Sequence, residues 1–186
     1  MNSRIYPVIV NTLKMKNINL DIDYPQVTCL MNLNVQKIIN RTIINTVYML
    51  IQEQGFYEEM DGTYELKNND KGVLSIVLIN YSFAGGAHGN TIAKALNFDI
   101  ETGHVYTLPE LFKPNSNYVK KISDIIKVQI KARDIPTLGD FTEINPNQDF
   151  YIADRSLVIF FQLYEITPYY VGSKSLATTV CSKSWP

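Results

Sequence analysis

The sequence predicts an α+β protein, an antiparallel β-sheet with two long amphipathic helices packed on it. Three observations predict it. Segments 32–54 and 117–132 carry apolar residues at three- and four-residue intervals, the period of one helix face. Much of the remaining apolar content alternates or sits in short continuous runs, as strands do. A long run, 73–83, enters the glycine-rich turn Ala84-Gly85-Gly86-Ala87-His88-Gly89 and a second run leaves it over 90–100, which reads as a β-hairpin with an unusual tip.

The chain's 186 residues suggest one domain, or two halves sharing a core. The halves are read as 1–72, strand-helix-strand, and 73–186, with the glycine-rich tip, the second helix and a closing hairpin, together one compact unit. Apolar residues make up 46% and charged residues 19%, a globular balance that argues against disorder. A formal charge of −1 offers no field for nucleic acid or an anionic membrane. Cys29 and Cys181 lie far apart and read as free thiols, with a disulfide between them as the alternative, and neither has a Cys or His at metal-ligand spacing. The reading therefore includes no metal and no cofactor. The first residues lack the apolar region of a signal peptide, and no stretch approaches the ~20 apolar residues of a membrane span. As given, the chain reads as cytoplasmic.

In order, 5–16 reads as a strand region broken at Pro7. Segment 17–25 alternates strictly, with Ile18, Leu20, Ile22 and Tyr24 on one face, and ends at Pro25. Asp21 and Asp23 face the other way; their i, i+2 spacing marks a wet strand face more than an acid–base pair. In the first helix, Val35, Ile38, Ile39, Ile43, Val47, Leu50 and Ile51 form the stripe. Asn32 or Asn34 is placed to cap its start and Gly55 to end it. A short strand, 62–67, precedes a turn at 68–72, whose residues tolerate positive φ. The run 73–83 is apolar on both faces, as a central strand is. Pro109 opens a short helical turn at 108–112. In the second helix, Tyr118, Val119, Ile122, Ile125, Ile126 and Gln129 trace the buried stripe, with Lys120, Lys121, Lys127 and Lys131 on a solvated face. Segments 149–152 and 157–161 read as a hairpin. An aromatic stretch broken by Pro168 follows over 162–172.

Three glycines within five residues of the tip, Gly85, Gly86 and Gly89, cost backbone entropy and suit places where φ is positive or another group comes close. Consecutive N–H groups there could form an anion nest. Neither a phosphate-binding loop nor a dinucleotide fingerprint is present, because no Gly-Lys-Ser/Thr and no helix start follow. His88 has three readings: a pin that hydrogen-bonds the loop, a binding residue, or a general base, the last needing a nucleophile and an orienting acid.

Five motifs stand in order: Tyr81-x-Phe83-x-Gly85-Gly86-Ala87-His88-Gly89, Asn97-Phe98-Asp99-x-x-Thr102-Gly103, Leu108-x-x-Leu111-Phe112, Phe150-Tyr151, and Tyr164-Glu165-Ile166-x-Pro168-Tyr169-x-x-Gly172. Together they resemble the RsiV-type extracytoplasmic domain family. That family joins two small domains of unknown function, and it occurs in lysozyme-binding anti-sigma factors and beside the catalytic domain of some peptidoglycan deacetylases. The match runs nearly to Gly172. The resemblance implies helices on antiparallel sheet, an extracytoplasmic setting, and a protein or cell-wall glycan as partner. Carried over by position, it makes Tyr81, Gly85, Gly86, His88, Gly89, Tyr164, Glu165, Pro168 and Tyr169 the candidate ligand-binding residues. It also implies an apolar closing strand after Gly172, where this chain gives a polar tail, 173–186, ending in Trp185-Pro186.

Three function classes follow. The first is a non-catalytic binding domain, a sensor or accessory module for a lysozyme-like protein or for peptidoglycan. The second is a hydrolase or an accessory part of a cell-wall deacetylase, using His88. With only His88 and His104 in the chain and no His-x3-His, metal-dependent deacetylation does not fit, and no nucleophile elbow is visible. The third is a structural or assembly protein, which concentration-dependent association would reveal. The first is preferred, with no catalytic residue assigned.

Overall fold

The structure is a computed structural model, and it describes residues 7–154 and 156–172 together with the backbone of Ser175–Thr178. The chain divides into two compact units, Met1–Val105 and Tyr106–Pro186.

The first unit is a five-stranded sheet, in the order β1-β2-β3-β4-β5, with one helix on it. β1 (Ile9–Lys16) and β2 (Leu20–Thr28) form an antiparallel hairpin. α1 (Leu33–Gln54) crosses over to β3 (Glu59–Asp70), whose first residues run parallel to β2 at Leu20–Met60, Asp21–Asp61 and Ile22–Gly62. β4 (Val73–Phe83) and β5 (Asn90–Asp99) complete an antiparallel meander. The β3–β4 turn is Lys71-Gly72, both at positive φ (51° and 80°), the two-residue geometry that matches strand twist.

α1 forms where its periodicity places it. The Asn32 side chain accepts from the N–H groups of Asn34 and Val35, which otherwise lack partners in the first turn. Val35, Ile39, Ile43, Val47 and Leu50 are buried with Leu74, Ile76, Leu78, Leu96 and Phe98 of the sheet. At ~1.5–3 kcal/mol per buried side chain, the stripe contributes on the order of 10 kcal/mol before chain entropy is subtracted. Two side-chain amides then finish the sheet. Beyond the short parallel contact, Asn40 on α1 accepts from Val27 N–H (2.8 Å) and donates to Val27 C=O (2.8 Å). Asn69 does the same for Val8, at 2.9 Å for each bond.

The second unit holds α2 (Tyr118–Ala132) and a three-stranded antiparallel sheet, β6 (Phe150–Ala153), β7 (Ser156–Phe160) and β8 (Ser175–Thr178). Its buried residues include Ile122, Ile126, Ile144, Ile152, Leu157 and Ile159. Ser123 joins α2 to the loop before β6: its hydroxyl donates to Val119 C=O and accepts from Ile144 N–H.

The α+β class holds, with the two helices divided between two sheets. Several expectations shift. The boundary expected after residue 72 falls inside the β3–β4 hairpin, where strand pairing ties the two sides together; the units meet at Val105/Tyr106 instead. The strand expected to stop at Pro25 continues to Thr28. Proline lacks an N–H, and it is tolerated here because the parallel pairing with β3 has ended by then. Ile18 lies in the hairpin turn, fully exposed. The polar tail does supply a closing strand, β8 on β7. Cys29 is an exposed free thiol; Cys181 and the rest of the chain end lie outside the described residues.

Candidate functional site

The expected site residues fall in two loops, one on each unit. Tyr81, Gly85, Gly86, His88 and Gly89 belong to the tip between β4 and β5. Tyr164, Glu165, Pro168 and Tyr169 belong to the segment after β7.

The tip is a backbone device. Gly85 and Gly86 sit at φ +80° and +118°, a region that side-chain-bearing residues rarely adopt. Gly89 is buried for another reason: a Cβ there would overlap the Tyr81 ring, which lies across it from β4. The base of the tip is clamped by the end of α1. Gln54 donates to Asn80 C=O (3.1 Å) and Asn90 C=O (3.2 Å) and accepts from the Asn90 amide (3.0 Å). His88 is exposed, with Nδ1 3.0 Å from the carbonyl of Gly89. A carbonyl can only accept, so Nδ1 carries the proton.

The second loop is a side-chain device. Gln148, nearly fully buried, donates to Phe160 C=O (3.1 Å) and to Glu165 Oε1 (2.8 Å), while Glu165 Oε2 accepts from Gln162 N–H (2.7 Å). Thr167, also buried, donates to Gly172 C=O. These bonds hold the segment down and leave its aromatics in solvent. Tyr164, at φ 64°, stacks on Tyr169 with ring centroids 5.8 Å apart. Tyr164 is 49%, Tyr169 39% and Tyr170 79% exposed. Pro168 starts the 3-10 turn Tyr169–Val171 that sets Tyr169 and Tyr170.

Sequence reasoning missed Gln148, Gln162 and Tyr170. Gln148 sits between a loop and a strand with no periodicity to mark it; only Tyr170, beside the Pro168-Tyr169 motif, had a signal. Among the described residues no group of three His, Cys, Asp or Glu side chains is arranged to hold a metal ion. No described helix is long and apolar enough to cross a membrane.

Two profiles match the chain, one within each unit. A profile described as "Deacetylase PdaC" matches residues 12–91, within the first unit, and one described as "Protein of unknown function (DUF3298)" matches 109–177, within the second. Each profile covers less than half of the chain, and the two matches follow its division into two units. It is 27% identical over 128 residues to the peptidoglycan-N-acetylmuramic acid deacetylase PdaC of Bacillus subtilis, covering 64% of this chain and 27% of that protein. It is 29% identical over 174 residues to the anti-sigma-V factor RsiV of the same organism, covering 83% of this chain and 60% of that protein. An esterase of Mycobacterium tuberculosis is 29% identical over 126 residues, covering 62% and 54%. The chain thus spans less than two thirds of each of these relatives' lengths. Among solved structures, a DUF3298 family member from Bacteroides fragilis superposes with a TM-score of 0.71 at 13% identity, covering 95% of this chain and 92% of that one; this likeness shows the fold. The PdaC-type and DUF3298 pairing resembles cell-wall-related accessory or sensor domains, as the RsiV-type resemblance implied.

Proposed function

We propose that this chain is a non-catalytic recognition domain that binds a lysozyme-like protein or peptidoglycan through the tyrosine segment of the second unit, the glycine-rich tip of the first unit being a separate candidate contact. The observation that carries the reading is the tyrosine display. Three tyrosines are left in solvent on a segment fixed from beneath by Gln148 and Glu165. Exposed aromatic area on a rigid loop loses little entropy on binding, which is why Tyr concentrates at binding hot spots.

The hydrolase reading has the esterase relative in its favour. In it, His88 would act as general base. A hydrolase role also needs a nucleophile beside His88, and the sequence around it has no nucleophile elbow.

The test is binding of the purified chain to immobilised peptidoglycan and to a lysozyme, with Tyr170→Ala and His88→Ala beside wild type. Tyr170→Ala is expected to leave thermal stability unchanged and to weaken binding about tenfold, as loss of a ~1.4 kcal/mol contact does. Absence of binding to both probes by the folded wild type would sink the reading. Ester hydrolysis by wild type that His88→Ala abolishes would establish the alternative.

A further inference from the structure

The second unit carries a second feature, away from the tyrosine segment in sequence. Ahead of α2, a cleft of about 490 Å³ opens to solvent, within the usual size of small-ligand sites. Phe112 and Tyr118 stack along it nearly parallel, centroids 4.8 Å apart and planes 10° apart. The Tyr118 hydroxyl donates to Pro146 C=O (2.9 Å), which fixes the ring. Pro109 and Pro114 add further rigid apolar lining.

One polar atom of the lining is short of a partner, while Glu110 on the same lining accepts from Thr107. The Ser116 hydroxyl oxygen is shielded from solvent and has no hydrogen-bond partner among the described residues. Buried polar atoms in folded proteins are nearly always paired, so this one calls for an account. Asn117, the N-cap of α2, makes no side-chain cap bond, so the first-turn N–H groups lack that acceptor. Lys113 is an exposed donor on the same lining. The outer face of the stacked pair, beside an edge that holds the Lys113 and Ser116 donors and the Glu110 carboxylate, suits a ligand with a C–H face and an amide that both accepts and donates.

We infer that this cleft is a saccharide subsite for an N-acetylated pyranose, the sugar's face lying on the Phe112–Tyr118 platform and its acetamido carbonyl turned to the start of α2. A simple anion would use the donors but not the rings. The inference rests on the reading that the chain recognises cell-wall material, and it names the part of that material seized.

The experiment titrates the full chain with N-acetylglucosamine trimer, and with glucose trimer as the control lacking acetamido groups, by calorimetry. Wild type is expected to bind the acetylated trimer and to bind the control at least severalfold more weakly. Phe112→Ala is expected to weaken binding about tenfold through loss of the stacking face. Ser116→Ala is expected to weaken it about threefold while the thermal midpoint stays the same or rises, since the variant removes an unpaired buried hydroxyl. That second variant guards against a folding defect in the first. No binding of the trimer, equal binding of the two sugars, or trimer binding that neither variant changes would each overturn the subsite. Peptidoglycan and lysozyme binding, measured on the same preparations, separates the two readings. If it persists while the subsite fails, the recognition reading stands; if it is absent too, both fall.

Discussion

The two candidate loops carry comparable family signatures and are built in opposite ways. The tip at 84–89 owes its shape to missing side chains: positive φ at Gly85 and Gly86, and room for Tyr81 at Gly89. The loop at 162–172 owes its shape to side chains, with Gln148 and Glu165 anchoring it and three tyrosines displayed. The residues of the two loops and their anchors are therefore of two kinds. Gly89, Gln148 and Glu165 shape their loops, while His88, Tyr164, Tyr169 and Tyr170 are displayed to solvent. A motif match cannot separate the kinds; burial and hydrogen bonding can.

Variants can break this comparison. The largest effect is expected at Gln148→Ala, which leaves Phe160 C=O, Asn145 N–H and Glu165 short of a partner in a buried setting. A loss of about 2–3 kcal/mol is expected by urea unfolding. If stability holds, the tyrosine loop is not anchored as described. Gly89→Ala follows, at about 1–2 kcal/mol: a ring tip is displaced rather than a strand, so the cost stays below that of core overpacking. A shifted Tyr81 ring resonance with the sheet intact is the expected NMR readout. His88→Ala is expected to stay within about 0.5 kcal/mol, because an exposed ring bonded to its neighbour's carbonyl adds little. A loss of several kcal/mol would move His88 from the displayed kind to the shaping kind.

The smallest effect lies away from both loops and sets the baseline. Lys14 bonds Asp21 and Asp23 across the β1–β2 hairpin, and Lys16 also bonds Asp21. Hydrogen bonds from Lys14 and then Lys16 hold the Asp21 carboxyl below its usual pKa, and bonds to Asp21 and Asp23 hold Lys14 above its own. For Asp21, with its pKa lowered in the folded state, the stabilisation is present above the ordinary carboxylate range and lost as pH falls through it. For Lys14, with its pKa raised, it is present below the ordinary lysine range and lost as pH rises through it. Hairpin stability should therefore be flat at neutral pH and weaken at both ends. Salt should flatten the profile, since the groups are exposed.

The sequence made the regular elements legible. The stripe at 32–54 became Leu33–Gln54, the stripe at 117–132 became Tyr118–Ala132, and the run 73–83 became β4 with both boundaries intact. Strong periodicity and a capping Asn or terminal Gly leave few alternatives. Legibility failed where the cause lies far along the chain. β2 outruns Pro25 because of where β3 departs. Gly89 is required by a ring eight residues earlier, and Gln148 matters because of Glu165, seventeen residues later. The Phe112–Tyr118 platform crosses a loop whose path no local pattern encodes.

The amides of Asn40 and Asn69 have a consequence beyond the fold itself. An exposed strand edge invites a strand from another molecule, the first step of domain swapping and fibre growth. Asn40 occupies both backbone groups of Val27, so the stretch of β2 that β3 leaves behind offers no donor–acceptor pair there to an incoming strand. A helix side chain thus impersonates a neighbouring strand for the length of one residue. An Asn40→Leu chain could still form α1, and its weakness would appear as self-association on storage.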